Sequence, residues 1–125
     1  MSAILLVDDN PAVRNVVGDV LRDAGYEVSD VASGSEALAL LETSSFDLII
    51  LDYLLPEMKG DVIASIVRQR WSTMRIAFLS GYAEFLSLTG KHGGDALIPK
   101  PVSVEDLCKA VAGALREPGT LAQAA

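Results

Sequence analysis

Residues 46–60 read "FDLIILDYLLPEMKG": one carboxylate, Asp52, stands between two apolar runs, ahead of Pro56 and Gly60. The run "FDLIIL" (46–51) is short for a helix and too continuously apolar for a strand with one wet face. It therefore predicts a strand buried on both sides. Such strands belong to parallel sheets, whose crossover helices cover both faces. A charge at the end of one is costly unless something beyond the strand uses it.

Outward from this strand the pattern alternates. Upstream, "AILLV" (3–7) is a second buried strand that stops at "DDNP". Asn10 and Pro11 then form an N-cap and first-turn pair. Val13, Val16, Val17, Val20 and Leu21 follow at helical spacing, and Gly25 closes the segment. "YEVSDVA" (26–32) predicts a strand, and "SGSEALALLE" (33–42) a helix opened by a capping-box pattern at Ser33 and Glu36. Downstream, "DVIASIVRQR" (61–70) predicts a helix, "RIAFL" (75–79) and "ALIPK" (96–100) strands, and "SVEDLCKAVAGALRE" (103–117) a helix with Val104, Leu107, Cys108, Val111 and Leu115 on one face. Residues 83–95 hold Gly90, Gly93 and Gly94, so the expected helix there is short. Five β-α units argue an α/β fold with a parallel sheet covered on both sides.

Composition narrows the function. With 125 residues, half of them hydrophobic, one domain over 1–117 is expected, with 118–125 a tail or the start of a linker. A net charge of -7 leaves no basic face for a phosphate backbone, which argues against nucleic-acid binding by this domain. A single cysteine, Cys108, suits a reducing compartment and a core role. No apolar run is long enough to span a bilayer and no basic-then-apolar leader is read, so a cytoplasmic domain without membrane contact is the expectation.

In an open doubly wound sheet, ligands bind beyond the carboxyl ends of the strands, where the winding reverses. The residues following the predicted strands are Asp8 and Asp9, Asp52, Ser80 and Lys100. In the order 2-1-3-4-5 the first and third strands are neighbours, which brings the three aspartates together. Three carboxylates in one pocket repel, and a hard divalent cation relieves that repulsion. Mg²⁺, which takes a few carboxylates plus water and phosphate oxygens, is the expected cofactor. With a cation and the Lys100 ammonium beside it, Asp52 can act as a nucleophile on a phosphoryl group, and Ser80 can supply a hydroxyl to the phosphoryl oxygens. Pro99 lacks a ladder donor, which an edge strand tolerates, and the fifth strand is at the edge in this order.

The motifs "LLVDDN", "LDYLLPEMKG", "FLSGYA" and "PKP", in this order and spacing, resemble the receiver domains of bacterial two-component response regulators across nearly the whole chain. The resemblance implies a flavodoxin-like (βα)5 three-layer sandwich with a five-stranded sheet in order 2-1-3-4-5. It implies that Asp52 accepts a phosphoryl group from a histidine kinase or a histidine phosphotransfer protein. It implies Mg²⁺ coordinated by Asp9, Asp52 and the backbone carbonyl of Leu54, with Asp8 orienting metal-bound water, a switch hydroxyl at Ser80 and a charge-compensating Lys100. Pro56 and Gly60 match the family's loop after the phosphoacceptor, and Lys100–Pro101 a peptide bond that is usually cis. The output would be a downstream partner protein or tethered kinase domains, and the domain a monomer or weak homodimer, active in signalling and not as an enzyme on a separate substrate.

Two features depart from the family pattern. Leu97 stands where an inward-turning aromatic is common, and residues 80–100 are rich in glycine. Tyr82 and Leu54 border the expected site and would restrict water, implying slow hydrolysis. Taken singly, the site residues have plainer readings: Asp8 and Asp9 as a solvated turn, Ser80 as a strand-end residue, Lys100 as a surface cation. His92 has no second ligand nearby in sequence and is read as solvent-exposed; Trp71, Tyr26 and Phe46 are read as packing. A pseudo-receiver, the same fold used as a phosphorylation-independent interaction module, is the alternative. A phosphatase using a nucleophilic Asp is a third reading, disfavoured because Leu54 occupies the place of its acid/base carboxylate.

Overall fold

The computed structural model describes residues 2–81, 96–100 and 103–116. The expectations for residues 83–95, Tyr82, His92, the Lys100–Pro101 bond and the 118–125 tail fall outside them. The elements run β1 (Ala3–Val7), α1 (Pro11–Asp23), β2 (Glu27–Val31), α2 (Gly34–Thr43), β3 (Leu48–Asp52), α3 (Gly60–Arg70), β4 (Arg75–Ser80), β5 (Ala96–Pro99) and α4 (Val104–Arg116). All strand pairs are parallel, in the order β2-β1-β3-β4-β5. No helix among the described residues is long and apolar enough to cross a membrane.

Strand alternation sorts the core into two layers. Ile4, Leu6, Leu48, Ile50, Ala77, Leu79 and Ile98 face Val17 and Leu21 of α1 and Leu107, Val111 and Ala114 of α4. Their neighbours Leu5, Val7, Ile49, Leu51, Ile76 and Phe78 face Ala37 and Leu41 of α2 and Ile63, Ala64 and Val67 of α3. Both faces of the central strands are dry, which is why they carry no polar residue between their first and last positions. Tyr26 packs against the first layer, and Phe46, Trp71 and Leu97 against the second.

Helix ends follow their caps. Asn10 Oδ1 accepts from the Ala12 and Val13 amides at 2.9 and 3.3 Å. Gly25, at φ 101°, closes α1 with its amide on the Arg22 carbonyl and the Tyr26 amide on that of Leu21. At α2 the Ser33 hydroxyl accepts from the Glu36 amide, but Glu36 reaches back to the Ala32 amide instead of that of Ser33.

Three expectations are corrected. Val16 and Val104 are 59% and 60% exposed, and Cys108 is only half-buried. Each sits at the edge of its apolar stripe, which spans more arc than the sheet covers, while Gly18 and Ala114 take buried positions instead. Further, Asp52 and Ser80 end their strands and do not follow them. The neighbouring strands extend that far: Asp52 pairs with Leu79 and Ser80 with Pro99.

Candidate functional site

Because β1 and β3 are hydrogen-bonded neighbours, their carboxyl ends deliver Asp8, Asp9 and Asp52 to one rim, with carboxylate oxygens all within 4.8 Å of one another. Asp8 is fully buried and Asp52 is 6% exposed, whereas Asp9 faces solvent. Lys100, delivered by the end of β5, places its ammonium 3.1 Å from Asp8 Oδ2 and 3.3 Å from Asp52 Oδ2. No hydrogen bond of good geometry reaches Asp8 Oδ2 among the described residues, so the ion pair is its only hold. Asp8 Oδ1 accepts from the Asn10 amide at 2.9 Å, and Asp52 Oδ1 from the Leu54 amide at 3.3 Å.

Ser80 is 1% exposed and its hydroxyl finds no hydrogen-bond partner among the described residues. A buried, unsatisfied hydroxyl costs free energy and is seldom retained without a use. Leu97 sits opposite Phe78 in the β4–β5 ladder and packs into the α2/α3 layer. Pro56 is exposed in the loop after β3, and Leu54 is 49% exposed at its start. Gly60 has a specific steric reason: a Cβ there would lie 2.8 Å from Tyr53 Cα and 2.9 Å from the Asp52 carbonyl oxygen. Its amide donates to the Tyr53 carbonyl at 2.7 Å, so α3 starts directly on the backbone that carries Asp52.

Burial first, and the charge of Asp8 second, push the Asp52 carboxyl up to about 6, against the opposing pull of Lys100. Burial opposes the Lys100 charge, yet Asp8 and Asp52 together outweigh it and hold the ammonium above its usual range. The folded protein thus retains a proton on Asp52 at a pH where the unfolded chain, at its ordinary value of 3.8, has lost it. Stability therefore falls as pH rises through that window, and the cost is fully present above it. Asp52→Asn is expected to stabilise the metal-free domain by on the order of 1–3 kcal/mol near neutral pH, and by less at about pH 4.5. Urea unfolding at the two pH values checks this; equal gains at both would show that the titration of Asp52 is not the cause.

The donor set is hard oxygen throughout, and the clustered charge exceeds what one ammonium offsets. These residues fit a divalent cation such as Mg²⁺ better than a soft metal. A concavity of about 970 Å³ opens at the opposite end of the sheet between Glu42, Phe46, Trp71 and Arg75, and it contains none of these groups.

One side chain at the rim was not singled out from the sequence. Arg14 Nη1 donates to the Asp8 carbonyl at 2.7 Å. A local signal existed: a cation in the first turn of a helix opposes the macrodipole, so its presence calls for an acceptor nearby.

A family model described as response regulator receiver domain matches residues 4–112. Among curated proteins, the chain is 34% identical over 117 residues to sensor kinase CckA of Brucella abortus, covering 88% of this chain and 12% of that protein. It spans about half the length of several curated regulators it also matches. Among solved structures, it resembles the chemotaxis response regulator CheY4 of Vibrio cholerae at 33% identity and TM-score 0.81, covering 92% of this chain and 99% of that one. It also resembles response regulator protein TrrA of Thermotoga maritima in complex with Mg²⁺ and BeF, at 30% identity and TM-score 0.84, covering 92% of this chain and 100% of that one.

Proposed function

The chain belongs to the response regulator receiver domain family, and on that premise we propose that Asp52 is its phosphoacceptor and Mg²⁺ its cofactor. The carrying observation is the buried Asp52 carboxylate, clustered with Asp8 and Asp9 and ion-paired to Lys100. In the proposed transfer an Asp52 carboxylate oxygen forms a bond to phosphorus as the N–P bond of a phosphohistidine breaks, and the departing imidazole takes up a proton from solvent. The donor is a histidine kinase or a histidine phosphotransfer protein.

Asp8, Asp9, Asp52 and the Leu54 carbonyl would hold Mg²⁺, which when bound supplies positive charge against the incoming phosphoryl oxygens. A solved relative was obtained in complex with Mg²⁺ and BeF, which supports Mg²⁺ as the cofactor. Lys100, freed from part of its pairing with Asp52, would follow the negative charge onto the phosphoryl group. The Ser80 hydroxyl, buried and unpartnered among the described residues, would donate to a phosphoryl oxygen and so report the modification to its surroundings. Leu97 would transmit that change by packing shifts and not by a ring rotation. For partner docking, the exposed Val16 and Val104 on the contacting helices α1 and α4 offer apolar anchors. We read residues 1–117 as the domain, acting alone or within a longer protein.

The test is intact mass after incubation with Mg²⁺ and a small acyl-phosphate donor. The wild-type chain is expected to gain one phosphoryl group, and neither Asp52→Asn nor a chelator-treated sample to gain any. A folded wild type that gains nothing from this donor or from a phosphorylated kinase would instead support the pseudo-receiver, which no present observation favours.

A further inference from the structure

We propose that Arg14 is a positioning residue for the acidic pocket: anchored on Asp30, it holds the Asp8 backbone where Asp8, Asp9 and Asp52 can share one divalent cation. The inference rests on the Mg²⁺ role proposed for that pocket. Asp8 is tied to the end of β2 through both of its backbone polar groups. Its amide donates to the Val31 carbonyl at 3.2 Å, and its carbonyl accepts from Arg14 Nη1 at 2.7 Å. Arg14 Nε in turn lies 3.6 Å from Asp30 Oδ1. The second oxygen of Asp30 accepts from Arg22 Nη2 at 3.3 Å, and the same nitrogen donates to the Val28 carbonyl at 3.1 Å.

Arg14 is the one side chain in this chain of contacts that touches the pocket's backbone without offering an oxygen to it. The guanidinium suits the task, because separate nitrogens in a fixed plane serve the carbonyl and the carboxylate together. A lysine carries the charge but lacks that geometry. Groups that orient metal ligands without touching the metal typically change its affinity by about 10–100-fold when removed.

The sign of the effect separates positioning from charge. By Coulomb's law alone, deleting a cation beside a Mg²⁺ pocket tightens Mg²⁺ binding. Positioning demands the opposite. Calorimetric titration of the metal-free full chain with MgCl₂ is expected to show about 10–100-fold weaker binding in Arg14→Ala. Arg14→Lys should lose nearly as much despite keeping the charge. Asp30→Asn should lose less, and the Arg14→Ala/Asp30→Asn double variant no more than Arg14→Ala alone. In metal-free samples, amide hydrogen exchange at Asp8 and Asn10 should be faster in Arg14→Ala than in wild type, a readout that needs no Mg²⁺.

Unchanged or tighter Mg²⁺ binding by folded Arg14→Ala overturns the inference while leaving the Mg²⁺ site intact. A wild type that binds no Mg²⁺ overturns the site and the inference together. If Arg14→Ala does not fold, Arg14→Lys, which keeps the charge but not the planar fork, is held to the same criterion: weaker Mg²⁺ binding supports the assignment and unchanged binding ends it.

Discussion

Lys100→Met is expected to slow phosphoryl uptake from an acyl-phosphate donor by about 10²–10³-fold and to destabilise the metal-free domain by about 2–4 kcal/mol. Both effects come from one ammonium that bridges Asp8 Oδ2 and Asp52 Oδ2. Methionine keeps the apolar stem and removes the charge, leaving two buried carboxylates without a compensating cation. Breaking a buried pair typically costs about 3–5 kcal/mol. The lower figure applies because the Lys100 side chain is 27% exposed and water can reach the gap. Mg²⁺ should restore more stability to the variant than to wild type, since it replaces part of the missing charge. It should not restore the rate, because the ammonium is needed where charge develops on the transferring group. Uptake is followed by intact mass over time and stability by urea unfolding with and without Mg²⁺. A variant that phosphorylates at the wild-type rate would remove Lys100 from the chemistry and leave it a structural counter-ion.

Gly60→Ala should be destabilising by about 1–3 kcal/mol or more, although helix propensity alone favours alanine by roughly 1 kcal/mol. The new methyl would meet Tyr53 Cα at 2.8 Å, the Asp52 carbonyl oxygen at 2.9 Å and Phe78 Cε1 at 3.3 Å. The first two are backbone atoms at the end of β3 and cannot swing aside. The third belongs to a ring that is fully buried and held edge-on against Tyr53, with centroids 5.8 Å apart. Relief requires α3 to withdraw or the strand end to shift, and the latter carries Asp52 with it. Phosphoryl uptake should therefore fall with stability. Gly113 in α4 provides the control: a Cβ there meets nothing within 4 Å among the described residues, so Gly113→Ala should gain about 0.5–1 kcal/mol. Thermal unfolding of both variants decides the matter. If both glycines respond alike, propensity and not the close approach governs Gly60.

Much of the site was legible because its residues terminate apolar runs. Asp8, Asp52 and Ser80 stand out in sequence as the first polar groups after four buried positions each, and a parallel sheet sends all such ends to one rim. Pro99 on an edge strand and Asn10 as a cap were readable for the same local reason: a missing donor or a short acceptor acts within a few residues. Strand ends were less legible. Whether Asp52 closes β3 or follows it depends on how far β4 extends beside it, which is a property of the neighbour.

Sequence alone therefore determined the alternation of elements, the two-faced burial of the central strands and the identity of the residues at the rim, since periodicity and punctuation are local. Only the tertiary structure decided the rest. It showed Lys100 bridging Asp8 and Asp52, Arg14 held between the Asp8 carbonyl and Asp30, Gly60 seated against the β3 backbone, and Val16 and Val104 left outside the core. Each of these is a relation between different elements of the fold. Its value is set by sheet register and by the rotation of each helix on the sheet, which residue spacing within one element does not encode.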